Sequence, residues 1–234
     1  MWSFAAAFRL GLASARANLV PMAVLWLFSV SLVIGYYFVP GFAELLEPLA
    51  RWQREDGMRA AFLNRVVFCG LLQGAFILAV KDIRPDRPYA VFVAQALWAG
   101  ICGLANHWMF SLNARWFGTG IDFGTLCIKT AVSQFAWTPL FFIPAGTVAY
   151  FWFGHGLSFA RTRREWPRAF FRDLLLPNLI VNWCVWIPVN MAIFVFPLPL
   201  QIQLSGIVRL LLCTLLLRVR CSRSPIFCLL HSTR

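Results

Sequence analysis

The stretch from Ala17 to Ala43, ANLVPMAVLWLFSVSLVIGYYFVPGFA, runs 27 residues without a charged side chain. A helix rises about 1.5 Å per residue, so about 20 apolar residues cross the ~30 Å hydrocarbon layer of a bilayer. This run is long enough to span. Lipid offers no hydrogen-bond partner to the backbone, so a spanning segment of this kind is helical, and the class is an all-α, polytopic transmembrane helix bundle. Composition agrees with it. Hydrophobic residues make up 60% of the 234-residue chain and charged residues 13%, and the mean hydropathy is +0.71. A soluble domain of this length needs a charged exterior, and 21 Lys+Arg with 9 Asp+Glu are too few and too clustered to supply one.

Outward from the first run, charge-free apolar stretches recur, and about five to six hydrophobic helices are expected. The candidates are Asn18 to Val39, Val66 to Val80, Ala90 to Leu112, Thr130 to Gly154, Leu174 to Leu200 and Ile202 to Leu217. The second is short unless it borrows Ala60 to Asn64 and turns Arg65 toward the interface or a protein interior. The fifth carries Pro177, Pro188, Pro197 and Pro199, which predicts a kink or break. The sixth holds Arg209 near its middle. An amphipathic segment, residues 1–17, precedes the bundle at 18–217, and a basic tail, 218–234, follows it. The first segment, with Arg9, Arg16 and no acid, fits either a mitochondrial presequence or a short inner end of a membrane protein. Between Glu44 and Arg65, charges mixed with Leu45, Leu46, Leu49, Trp52 and Met58 fit a surface amphipathic helix or a solvated loop.

Basic residues orient the spans. With the amino terminus inside, inner segments hold 14 Lys+Arg and outer ones, Arg65 and Lys129 included, hold six, which favours both termini inside. The surplus of positive charge therefore reads as topology and contact with anionic lipid, with membrane lipid as the partner and nucleic acid excluded. Of the seven cysteines, none forms a CxxC pair or has a His at zinc spacing. Cys221 and Cys228, beside arginines in the tail, are a setting for palmitoylation. No metal or cofactor site is expected.

Polar residues inside apolar runs are the functional candidates, because the bilayer penalises them. They are Gln95, Asn106 and His107 in the third run, Ser133 and Gln134 in the fourth, Asn178, Asn182 and Asn190 in the fifth, and Gln203 and Arg209 in the sixth. None is a carboxylate, which weighs against a proton relay. Gly70 and Gly74 make a GxxxG, and Gly100 and Gly103 allow close helix approach. No nucleophile, base or metal cluster stands together, so catalysis has no residues to rest on, and no catalytic residue is assigned.

Three segments share an order with a known family. Gly103-Leu-Ala-Asn-His107-Trp108-Met-Phe110 resembles the "G-P-x-x-H-x-W-Y" signature of the peroxisomal membrane protein 22 kDa family, which includes a mitochondrial inner-membrane branch. Lys129-Thr-Ala-Val-Ser133-Gln134-Phe-Ala-Trp-Thr-Pro139 resembles its "K-x-x-x-D-Q-x-x-x-x-P", and Trp186-Ile-Pro188-Val-Asn190-Met-Ala-Ile-Phe194 its "W-P-x-x-Q-x-x-N-F". The likeness covers about residues 60–217. Ser133 stands where the family has aspartate and Asn190 where it has glutamine. The resemblance implies a mitochondrial inner or peroxisomal membrane and a channel for small solutes or metabolites, with His107, Gln134, Asn182 and Asn190 facing a path and Lys129 and Arg209 setting ion selectivity. A non-transporting scaffold or assembly partner, whose polar residues only join helices, is the competing reading, and a homo-oligomer fits either.

Overall fold

A computed structural model describes residues 4–79, 87–167 and 169–220, and all the secondary structure described is helical. Lys81, Arg84, Arg168 and the tail beyond Arg220, with Cys221 and Cys228, lie outside the described residues. Helix α1 is Phe4–Ala17, α2 Leu19–Phe38 and α3 Phe42–Asp56. Helix α4 is α-helical over Met58–Arg65, widens into π-type turns over Val66–Leu72 and closes again over Gln73–Ala79. Helix α5 is Pro88–Phe117. Helix α6, Phe123–Gly154, has π-type turns at Val132–Phe142. Helix α7 is the short Phe159–Arg164. Helix α8 opens with π-type turns at Phe171–Leu175 and continues over Leu176–Phe194, and α9 is Leu198–Arg220.

Among the described residues, four helices are long and apolar enough to cross a membrane: Leu19–Phe38, Pro88–Phe117, Phe123–Gly154 and Leu176–Phe194. The described residues thus bear out four of the expected five to six, with Leu198–Cys213 a shorter apolar stretch at the start of α9. The second and sixth candidates both carry polar side chains within their apolar runs. Asn64 and Arg65 in α4, and Gln201, Gln203 and Ser205 in α9, interrupt their apolar runs with side chains that are buried against protein.

The way α2 distributes its side chains explains why lipid suits the exterior. Pro21, Met22, Leu25 and Ser29 are buried at helical spacing, whereas Val20, Leu27, Val30, Ile34 and Phe38 are exposed. One narrow stripe faces protein, and the remaining surface is apolar, which water covers poorly. The fold is consistent with an integral membrane protein.

Helix α9 is the centre of the bundle. Residues Leu200 to Gly206 are buried one after another, so every face of that segment is covered. It packs against α2, α3, α4, α5 and α8. The Glu44–Arg65 connection is helical rather than a loop. In α3, Leu46, Ala50 and Gln53 face inward at i, i+4 and i+7, and Gly57, at φ +50°, turns the chain directly into α4. Arg65, counted above with an outer segment, is instead 3% exposed within α4. The glycines behave as their spacing predicts, because α4 and α5 cross in contact. A Cβ at Gly70 would sit 2.7 Å from the Ala96 backbone, and one at Gly103 would meet the Ala61 carbonyl and Arg65. Along the other side, α1 lies against α8, with Gly11 against Ile180.

Candidate functional site

Three elements bring polar side chains to those of the central helix. From α3 comes Gln53, from α4 come Asn64, Arg65 and Cys69, from α9 come Gln203, Ser205 and Arg209, and from α5 comes His107. Gln203 has no exposed surface, and it donates from Nε2 to Gln53 Oε1 at 2.7 Å. Asn64 Nδ2 donates to Gln203 Oε1. Gln53 Nε2 in turn donates to the Gly57 carbonyl at 2.7 Å and lies 3.4 Å from His107 Nδ1. The result is a hydrogen-bonded file from half-buried His107 through Gln53 and Gln203 to Asn64, whose Oδ1 is buried without a partner. A buried amide oxygen left bare is costly, and this one is packed against Gly206, where an added Cβ would clash with it.

One turn along lies a cationic group. Arg65 donates to Ser205 Oγ at 2.8 Å and approaches Cys69 Sγ at 3.9 Å, while Cys69 Sγ faces the Gly206 carbonyl at 3.7 Å. Ser205 Oγ in turn donates to the Ile202 carbonyl at 2.7 Å. Arg209, half-buried, follows Ser205 by one turn on α9, with Tyr150 and Cys213 near enough to interact with it electrostatically. Among the described residues neither arginine is paired with a carboxylate. The cysteines described are free, and no three His, Cys, Asp or Glu side chains among the described residues gather as a metal set.

A second polar group lies between α6 and α8. Asn182 Nδ2 donates to Gln134 Oε1 at 3.2 Å, and Trp183 Nε1 donates to the Gln134 carbonyl at 2.7 Å. The reason is local. In the π register the Gln134 carbonyl looks to the amide of residue 139, and Pro139 has no N–H to give, so Trp183 takes that place. Nearby, Ser133 Oγ donates to the Lys129 carbonyl at 2.8 Å and accepts from Asn113 at 3.3 Å. Lys129 is 1% exposed and reaches the Gly120 carbonyl at 3.4 Å. At the start of α6, Asp122 accepts from the Thr125 amide at 3.0 Å, and hydrogen bonding to Thr125 holds its carboxyl below the usual carboxylate range.

The anticipated residues therefore divide. Gln134 and Asn182 meet each other, His107 meets Gln53, Arg209 joins Arg65, and Lys129 sits at the opening turns of α6. Asn190 is buried in α8. Of the motif residues, Gly103 abuts Arg65, Trp186 packs on the main apolar core, and Phe194 meets Phe110 edge-on at 5.4 Å. Sequence reasoning missed Gln53 and Asn64. Their signal was present for Gln53: a glutamine on the apolar stripe of α3, in register with Leu46 and Ala50, is a polar group pointed at the core.

A separate pocket of about 130 Å³ lies beyond the end of α6, lined by Arg87, His155, Gly156, Ser158 and Arg161. His155 Nε2 is held there 2.8 Å from Glu165.

Compared with protein-family models, curated proteins and solved structures, the chain matches none.

Proposed function

We propose that this chain is an integral membrane protein that passes small solutes or metabolites through its helix bundle, with the polar file beside α9 as the path. The observation that carries the reading is the file itself. His107, Gln53, Gln203 and Asn64 join one another end to end across three helices and the central one, next to two arginines. Polar groups so placed are costly in a membrane unless they serve a purpose, and a path for polar solutes is one. In this reading α4 and α9 also lie within the membrane, as interior members of a bundle of six hydrophobic helices whose lipid contact is made by the four longer ones. The resemblance to the peroxisomal membrane protein 22 kDa family supports a channel and an organellar membrane, mitochondrial inner or peroxisomal. No residues in the file make a nucleophile and base, and the reading is not enzymatic.

A second reading has its own support. Gln134 with Asn182, and Asn113 with Ser133, are bonded in pairs, as polar groups that only join helices are. That arrangement suits a scaffold or assembly partner, and self-association through the apolar exterior suits either. Purified full-length protein in liposomes separates the two. Release of trapped small solutes above protein-free vesicles, reduced by Gln203→Leu, is expected for the path. No release over a range of voltage and pH would leave the scaffold.

A further inference from the structure

We infer that Arg65 and Arg209 form an anion site inside the bundle, which takes a small oxyanion such as phosphate or a carboxylate. The inference rests on the reading of the bundle as a solute path and names the class of solute that the path selects.

The geometry starts from two helices that present matching pairs. Arg65 and Cys69 are four residues apart on α4, and Ser205 and Arg209 are four apart on α9, so each pair shares a face. The pairs meet where Arg65 reaches Ser205 Oγ, one turn from Arg209 on the same face of α9. Like charges held near each other in a protein interior repel, and the described groups around these two carry no opposite charge at neutral pH. Tyr150 is a phenol, and Cys69, Cys102 and Cys213 are thiols, all uncharged at neutral pH. No carboxylate among the described residues pairs with either arginine. A buried cation kept without its counterion is strongly unfavourable, so a missing negative charge is the simplest completion of this site.

Size decides what carries that charge. Arg65 is 3% exposed, enclosed by the Gly103 face of α5 and by the central helix. A group so enclosed is out of reach of an acidic helix from another protein, which leaves a small ion as the carrier of that charge. Guanidinium groups bind carboxylate and phosphate oxygens through parallel N–H donors, which chloride does not match in shape. The Tyr150 hydroxyl beside Arg209 is a further polar group of the site.

The test uses the full chain in a neutral detergent, with inorganic phosphate as the probe and chloride holding ionic strength constant. The thermal midpoint of the wild type is expected to rise with phosphate and to saturate. Arg65→Met and Arg209→Gln are expected to lose the response. Without phosphate, Arg65→Met is expected to melt no lower than wild type, because an unneutralised buried charge has been removed, whereas a purely structural arginine would melt lower. Should Arg65→Met fail to fold, Arg65→Lys keeps the charge without the planar fork and is expected to need at least about tenfold more phosphate for half-saturation. A flat wild-type response, or an equal rise in the variants, overturns the site. So does a rise produced by anionic lipid in the micelles but not by phosphate. Flux in liposomes separates the two proposals. A phosphate response without flux overturns the path alone, and flux without a phosphate response overturns the anion site alone.

Discussion

The file beside α9 makes a quantitative prediction, because Gln203 serves two neighbours at once. Replacing it by the near-isosteric leucine removes the bond it donates to Gln53 Oε1 at 2.7 Å and the bond it accepts from Asn64. Gln53 Oε1 is then bare. Asn64 Nδ2 keeps only the residue 203 carbonyl at 3.5 Å. A stranded buried polar group costs about 1–3 kcal/mol, while side-chain hydrogen bonds in membrane proteins average about 0.6 kcal/mol. One stranded group and one weakened bond therefore place the loss for Gln203→Leu at about 1–4 kcal/mol. Gln53→Leu breaks the same bond from the other end. In the double variant the Gln53 oxygen no longer exists to be stranded, so the two losses do not add, and a coupling of about 1–2 kcal/mol is expected. Equilibrium unfolding in mixed micelles with a rising fraction of anionic detergent, followed by circular dichroism, measures all four corners of the cycle. Additivity within about 0.5 kcal/mol would refute the bonded file.

Three further outcomes are expected. Trp183→Phe leaves the Gln134 carbonyl bare and costs about 1 kcal/mol, and Pro139→Ala, which restores an amide in the same register, recovers part of that loss when combined with it. The check is the stability of the pair against each single variant. At the α4–α5 crossing, Gly70→Val forces the helices apart and costs about 1–3 kcal/mol, whereas Gly146→Ala, where a Cβ meets nothing within 4 Å, is neutral or gains up to about 1 kcal/mol, in the same unfolding assay. The Asp122 carboxyl titrates below the ordinary aspartate value of about 3.9 in a carbon-13 NMR titration. Its folded value is depressed, so its capping contribution is full above that ordinary value and is lost as pH falls through the folded one. Asp122→Ala removes this pH dependence from the first turn of α6.

The run at Ala17 to Ala43 was legible because nothing competes with it: a long apolar helix needs no partner to be recognised. Gly70, Gly74 and Gly103 were legible as packing positions for the same reason, since small residues at that spacing have one main use. What hydropathy hid was the interior. Arg65 and Asn64 look like the end of a loop when charge marks the boundary of a span, yet α4 continues through them because Ser205 and Gln203 on α9 satisfy their side chains. Those partners are about 140 residues away in the chain, as the separations of the two bonds record. No local pattern can announce such a pairing. Gln134 and Asn182 were visible as polar letters, but their meeting depends on how α6 and α8 pack, where Trp183 also bonds the Gln134 carbonyl.

A nitroxide scan along α2 tests most directly whether the bundle turns apolar side chains outward and polar ones inward. Labels placed singly at positions 20, 27, 30 and 34 of protein in liposomes should collide readily with dissolved oxygen, as lipid-facing sites do, and labels at 22, 25 and 29 should be shielded. A label at 53 should be shielded from oxygen as well. Collision rates that are uniform along α2, or high for a water-soluble relaxation agent at 27 and 30, would contradict the account.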